Sequence, residues 1–402
     1  MHIFVSAGEP SGDLHAANLV ESIRKLRPDA RFVGFGGDRI KEAGAEVLYP
    51  VVELAVMWFL RVLLNLHKFI GLVNMADRYF GEHRPDAVVL IDYPGMNWWI
   101  AKKAKARGIP VFYYVPPQIW AWAGWRVKKV RRFVDHVLCS LPFEPAWYHA
   151  RGVSQARYVG YPYFDELVGR TLDEGFLSAE RIKGGPVVAI LPGSRTQEVT
   201  RNVPIMLLAA AKLHRQVPGA RFVVACLHDR HKAYVQELAA ELGLQLPLVV
   251  HSAKTPELIR IADVAWAVSG SVGLELMMEA LPTVVLYKVN RIDLLVARRF
   301  INSKFISLVN LMADAEVMPE YLTARDVSGE LASWGVRWLS KPAERARAAS
   351  RLAELRDRVA VPGASDRAAS AIVDALHSPK YRGPRGASVF RPEPSPGEAR
   401  SA

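Results

Sequence analysis

Short apolar runs alternate along most of the chain with longer stretches in which apolar residues recur every three to four positions. The short runs read as buried strands and the long ones as amphipathic helices, so the pattern predicts βαβ units building parallel sheets. Two series emerge. In the first, strands are expected at 2–6, 31–35, 87–91, 110–115 and 136–140, with helices near 12–27, 56–80, 96–107 and 143–151. In the second, strands are expected at 186–191, 220–226, 247–251, 263–268 and 283–288, with helices near 202–216, 231–242, 271–280 and 291–301. The charged, glycine-containing stretch from Asp165 to Gly185 suits a linker between two domains, 1–165 and 186–340. Past Leu339, Ala348, Leu352, Leu355 and Val359, then Ala368, Ile372, Ala375 and Leu376, keep helical spacing and predict closing helices over 341–378. The basic, Pro-rich remainder, 379–402, buries too little apolar surface to offset chain entropy and is expected to be disordered.

Length agrees with two domains: 402 residues exceed what one hydrophobic core usually organises. Cys139 and Cys226 lie far apart in apolar runs, which is the usage of buried free thiols in a reducing compartment. The N-terminus lacks the features of a secretory signal, so a cytosolic protein is expected. The apolar stretch from Leu54 to Met75 approaches the ~20 residues of a membrane span. Arg61, Asn65, His67 and Lys68 interrupt it, at ~2.5–3.5 kcal/mol for each central charge, so it is not expected to cross a bilayer. A net charge of +12 favours polyanions: nucleic acid, an anionic membrane face or phosphorylated substrates.

Candidate chemistry clusters at strand ends. The first strand runs into Gly8-Glu9-Pro10-Ser11-Gly12-Asp13, where glycines and a helix start let backbone amides approach a ligand. Glu9 and Asp13 would repel phosphate, so sugar hydroxyls suit this loop better; the plain alternative is a turn capped by Ser11 or Asp13. Asp92 ends the strand 87–91, ahead of Pro94 and Asn97. There a partly desolvated carboxylate can serve as general base, or it can simply cap the next helix. In the second series, Pro192-Gly193-Ser194-Arg195 with Glu198 offers a guanidinium and a helix N-terminus to an anion, or merely an exposed ion pair. Ser269-Gly270-Ser271 leads to Glu275 one turn later, suited to a diphosphate and ribose hydroxyls, or to an ordinary helix start. No Asp-x-Asp motif is present, so no metal or other cofactor is expected, and Arg195 with helix N-termini would neutralise a leaving phosphate. Trp120 and Trp122, followed by Arg126, Lys128, Lys129, Arg131 and Arg132, suit either single-stranded nucleic acid or a lipid and phosphate surface. Trp58, Phe59, Val62, Leu63 and Leu66 form an apolar stripe that fits core packing, a membrane interface or acyl chains.

Taken in order, GEPSGD at 8–13, IDYPGMN at 91–97, PPQIWAW at 116–122, LPFE at 141–144, LPGSR at 191–195, SGSVGLE at 269–275 and SLVNLMA at 307–313 resemble bacterial lipid-A-disaccharide synthase over roughly residues 1–376. That family is an inverting glycosyltransferase of the GT-B fold, with two Rossmann-like α/β domains. The resemblance implies transfer from UDP-2,3-diacylglucosamine to 2,3-diacylglucosamine 1-phosphate (lipid X), giving the β-1,6-linked disaccharide 1-phosphate and UDP. It implies a peripheral enzyme on the cytoplasmic face of the inner membrane, and a homodimer that exchanges C-terminal parts. By motif, Asp92 becomes the base for the acceptor 6-hydroxyl, with Glu9 beside it and Asn310 near the cleft. Ser11, Asp13, Asn97 and Gln118 become substrate contacts, as do Arg195, Glu198, Ser269, Gly270, Ser271 and Glu275 toward the UDP-sugar. Two departures stand out: Tyr161 occupies a position where the family commonly has His, and Val309 one where it often has Pro. The rival readings are another GT-B enzyme, such as a UDP-N-acetylglucosamine 2-epimerase or a transferase with a polyprenyl-linked acceptor, or a nucleic-acid-binding protein. The acyl-suited stripe argues against a soluble sugar acceptor. Glu9 and Asp92, which would repel phosphodiesters, argue against nucleic acid.

Overall fold

The computed structural model describes residues 1–52, 66–300, 303–379 and 381. Trp58, Phe59, Val62 and Leu63 lie outside the described residues, as does nearly all of the expected tail. Two parallel α/β sheets carry the fold. The first contains β1 (His2–Ala7), β2 (Arg31–Gly36), β3 (Glu46–Pro50), β4 (Ala87–Ile91), β5 (Val111–Tyr114), β6 (His136–Cys139) and β7 (Ala156–Tyr158), in the order β3-β2-β1-β4-β5-β6-β7. The second contains β8 (Val187–Leu191), β9 (Arg221–Cys226), β10 (Leu248–Ser252), β11 (Val264–Val268), β12 (Thr283–Lys288) and β13 (Glu320–Thr323), in the order β10-β9-β8-β11-β12-β13.

Both orders reverse direction once, between β1 and β4 and between β8 and β11, and open α/β sheets bind ligands beyond the carboxyl ends of strands at such a switch point. Register brings those ends together: Ala7 pairs with Ile91, and Leu191 with Ala267. The candidate loops at 8–13, 92–97, 192–195 and 269–271 all leave these four strands. Every residue of β4, β8 and β11 is buried, as expected for apolar runs covered on both faces.

The sequence pattern missed β3, β7 and β13, and all three are sheet edges. Edge strands bury little, so Glu46–Pro50 and Glu320–Thr323 lack the continuous apolar signal of the central strands. The stretch expected to be a linker is helical instead, over Tyr163–Val168 and Glu174–Ile182. Its charges are paired: buried Glu180 meets Arg221 at 3.1 Å and Lys183 at 2.5 Å, while Asp173 caps the second helix through the Phe176 amide. The last three helices of the described residues are Ser328–Ser340, Pro342–Val359 and Ala364–His377.

The chain divides into two compact units, residues 1–112 with the chain from Asp366 onward, and Tyr113–Ser365. The last helix therefore returns to the first unit, where His377 Nε2 lies 2.8 Å from Arg27. In the second unit Leu352, Leu355 and Val359 pack into a core with Leu274, Met277 and Val309. Both cysteines are buried and free. Among the described residues, no helix is long and apolar enough to cross a membrane.

Candidate active site

In the first unit the chemistry centres on a strained turn. After Ile91 both Asp92 (φ 44°) and Tyr93 (φ 41°) adopt the left-handed region before a helix starts at Pro94. Residues other than glycine held there cost about 1–3 kcal/mol each and persist only when their surroundings over-determine them. Asn97 supplies that constraint. Fully buried, its Nδ2 donates to the carbonyls of Asp92 (2.9 Å) and Ile91 (3.2 Å), and its Oδ1 accepts from Ser6 Oγ at 2.7 Å. Gly8 completes the turn, because a Cβ there would meet the Tyr93 ring at 2.2 Å.

Asp92 is thus fixed, half-buried, at the end of β4. Burial raises its carboxyl above the ordinary aspartate range, against opposing pulls from the Tyr93 amide and the charge of His15. Burial and the charge of Glu9 together push the Tyr93 phenol up to about 12, which places Glu9 at the same turn. Asp92 does not cap the following helix, whose cap residue is Tyr93. Asp13 does not cap its own helix either. Its carboxylate accepts from the amides of Gly37 (2.6 Å) and Arg39 (3.0 Å), holding the turn after β2. Ser11 is exposed in the first turn of the helix Pro10–Leu26.

In the second unit, the loops after β8 and β11 line a cleft of about 500 Å³ together with Arg170, Leu227, Ala253 and Thr255. Arg195 is exposed and its guanidinium reaches Glu198 at 3.1 Å. The other oxygen of Glu198 accepts from the amides of Ser194 (3.2 Å) and Arg195 (3.3 Å). A Cβ at Gly193 (φ 112°) would meet that carboxylate at 2.7 Å, so glycine is required for it to fold back. Across the cleft, Ser269 Oγ donates to the Ile306 carbonyl at 2.7 Å, leaving Gly270 and Ser271 exposed at the tip. Glu275 is held on both oxygens, by Tyr163 Oη at 2.6 Å and Arg170 at 2.5 Å.

Asn310 sits outside this exposed chemistry. Wholly buried, it donates to Met318 O and Glu320 and accepts from the amides of Val317 and Met318, so in this structure it organises the 306–320 loop. Val309 is buried beside Gly273, and Tyr161 packs near Phe164 with ring centroids 6.1 Å apart. Gln118 is exposed. Leu66 opens the helix Leu66–His83, from which Leu72, Ala76 and Phe80 enter the core while Ile70 points to solvent.

Several partners escaped sequence reasoning. The PPQIWAW and LPFE motifs meet where Trp120 Nε1 donates to Glu144 Oε1 at 3.0 Å, while Glu144 Oε2 accepts from the amides of Ser140 and Leu141. Complete burial pushes Glu144 up to about 7. His15, Tyr163 and Arg170 carried no local signal, since their partners come from distant segments.

A family model described as lipid-A-disaccharide synthetase matches residues 3–360. The lipid-A-disaccharide synthase of Myxococcus xanthus is 37% identical over 93% of this chain and 97% of its own length. That of Syntrophus aciditrophicus is 33% identical over 91% and 96%. Among solved structures, a UDP-N-acetylglucosamine 2-epimerase from Neisseria meningitidis bound to UDP-GlcNAc is similar with a TM-score of 0.63 at 10% identity, covering 93% of this chain and 100% of that one. Acinetobacter baumannii MurG is similar with a TM-score of 0.57 at 14% identity, covering 93% and 99%. At these identities the likeness to solved structures is one of fold, and the fold is GT-B.

Proposed function

This chain belongs to the lipid-A-disaccharide synthase family, and we propose that it transfers diacylglucosamine from UDP-2,3-diacylglucosamine to the 6-hydroxyl of lipid X. The products are the β-1,6-linked disaccharide 1-phosphate and UDP. Inversion needs one base and a stabilised leaving group, because the acceptor attacks the face of the anomeric carbon opposite the UDP. Asp92 takes the proton of the 6-hydroxyl as the new C–O bond forms, and the electron pair of the breaking bond leaves on the UDP phosphate. The observation that carries this role is the Asp92–Tyr93 turn, where a left-handed backbone holds one carboxylate in place and burial raises its basicity.

On the donor side, the Arg195 guanidinium and the Ser271 hydroxyl fit the diphosphate, and Glu275 fits the ribose hydroxyls. With Arg195 and helix N-termini neutralising the leaving phosphate, the reaction is metal-independent. Both acceptor and product are lipids, which favours action at the cytoplasmic face of the inner membrane. Exposed Trp99, Trp122 and Trp125, the last two beside Arg126, have the amphipathic character that headgroup regions accept.

The test is UDP release from UDP-2,3-diacylglucosamine in detergent micelles, with and without lipid X, in excess EDTA. Release that requires both lipids and resists EDTA is expected. UDP appearing without lipid X would make the enzyme a hydrolase of the donor, and no release at all would overturn the assignment.

A further inference from the structure

Glu275 is held by two residues that the family motifs do not include. Its Oε1 accepts from Tyr163 Oη at 2.6 Å, and its Oε2 accepts from Arg170 at 2.5 Å. Tyr163 and Arg170 both come from the segment at 163–170, more than one hundred residues earlier in sequence. The Glu275 side chain is mostly buried and that of Arg170 is one-third exposed. Arg170, Pro256 and Glu275 line both the 500 Å³ cleft and a smaller cavity of about 200 Å³, so the ion pair is part of the wall between the two.

Each carboxylate oxygen has two lone pairs, and the protein uses one on each. One acceptor site per oxygen therefore remains, which matches the two adjacent hydroxyls of a ribose. A charged acceptor fixed in this way discriminates strongly against a ligand lacking a hydroxyl, because the missing donor leaves a desolvated charge unsatisfied.

We propose that Tyr163 and Arg170 are positioning residues that orient the Glu275 carboxylate and thereby set the preference for ribonucleotide over deoxyribonucleotide donors. The inference rests on the reading of this cleft as the UDP site. Without Arg170 the carboxylate loses its charged partner and swings. Without Tyr163 it loses the donor that sets its rotation. Selection for the ribose then weakens while contacts to the diphosphate and base remain.

The experiment is titration calorimetry of UDP and 2′-deoxy-UDP against the full chain and its Arg170→Met, Tyr163→Phe and Glu275→Gln variants, with KM for the donor measured in parallel. The unaltered chain is expected to bind UDP about 10-fold or more tightly than 2′-deoxy-UDP, in keeping with a hydrogen bond to a charged group. Arg170→Met and Tyr163→Phe should each reduce that ratio severalfold, and Arg170→Lys should restore part of it. A purely structural role would weaken both ligands equally, so an unchanged ratio in Arg170→Met and Tyr163→Phe overturns the proposal. If Glu275→Gln also keeps the full ratio while UDP still binds, Glu275 is not the ribose acceptor. Failure of the unaltered chain to bind UDP would instead remove the donor-site reading itself.

Discussion

The Asp92 turn and the 500 Å³ cleft both lie beyond strand ends at a switch point, yet they are built in opposite ways. The turn is over-determined: two residues in the left-handed region, a buried Asn97 bonded to the carbonyls on either side of the bend, and a glycine that admits the Tyr93 ring. In the cleft the prominent groups are exposed or held by internal counter-charges. Arg195 leans on Glu198, and Arg170 on Glu275. Glu198 even occupies the loop amides that an anion would seek. The exposed Arg195 can exchange Glu198 for an incoming anion, whereas the turn cannot move Asp92 without breaking Asn97's bonds. A general base must be placed to within a fraction of an ångström of its productive geometry.

Removing the proposed base, Asp92, breaks the comparison most severely. Asp92→Asn keeps the size and shape of the side chain but cannot accept the proton, so turnover should fall by about 10³-fold, read as disaccharide formed per enzyme. Loosening the turn is the next step down. Asn97→Ala removes buried hydrogen bonds and should lower stability by about 2–3 kcal/mol in chemical denaturation. It should also wet Asp92, so the acid limb of kcat/KM, which burial holds above the ordinary aspartate range, moves to lower pH. An unmoved limb in that variant would separate Asp92's environment from Asn97.

The smallest effect lies at Glu144, which belongs to neither the turn nor the cleft lining. Its carboxyl is pushed up to about 7 in the fold, so the folded chain binds its proton more tightly than the unfolded chain does. Its contribution to stability is therefore present below the unfolded value and lost as pH rises through about 7. Glu144→Gln should flatten the change in Tm between pH 5 and 8 relative to the unaltered chain, by a few degrees. An identical pH profile in the two proteins would show that Glu144 ionises normally.

Sequence reasoning reached what is local. The central strands announced themselves as continuous apolar runs, and the residues at their carboxyl ends, Asp92, Arg195 and Ser271, could be found by counting along the chain. Edge strands such as Ala156–Tyr158 bury too little to show an apolar pattern. The charged stretch 165–185 looked like a linker because the partners of its charges, such as Arg221 for Glu180, lie elsewhere in the chain. Asp13 looked like a ligand contact or a cap for its own helix, yet its carboxylate serves amides more than twenty residues away. Asn310 likewise looked like a site residue, and the structure shows each polar atom of its amide bonded within its own loop. What composition and spacing cannot show is which polar groups the fold has already satisfied.

The division of labour between turn and cleft is the central claim, and one paired measurement tests it directly: UDP affinity by calorimetry and single-turnover disaccharide formation, both in Asp92→Asn and in Arg195→Ala. The account predicts that Asp92→Asn binds UDP within about threefold of the unaltered chain yet forms product about 10³-fold more slowly, while Arg195→Ala weakens UDP by about 10-fold or more. Loss of UDP affinity in Asp92→Asn equal to that in Arg195→Ala, or near-normal turnover without the Asp92 carboxylate, would contradict it.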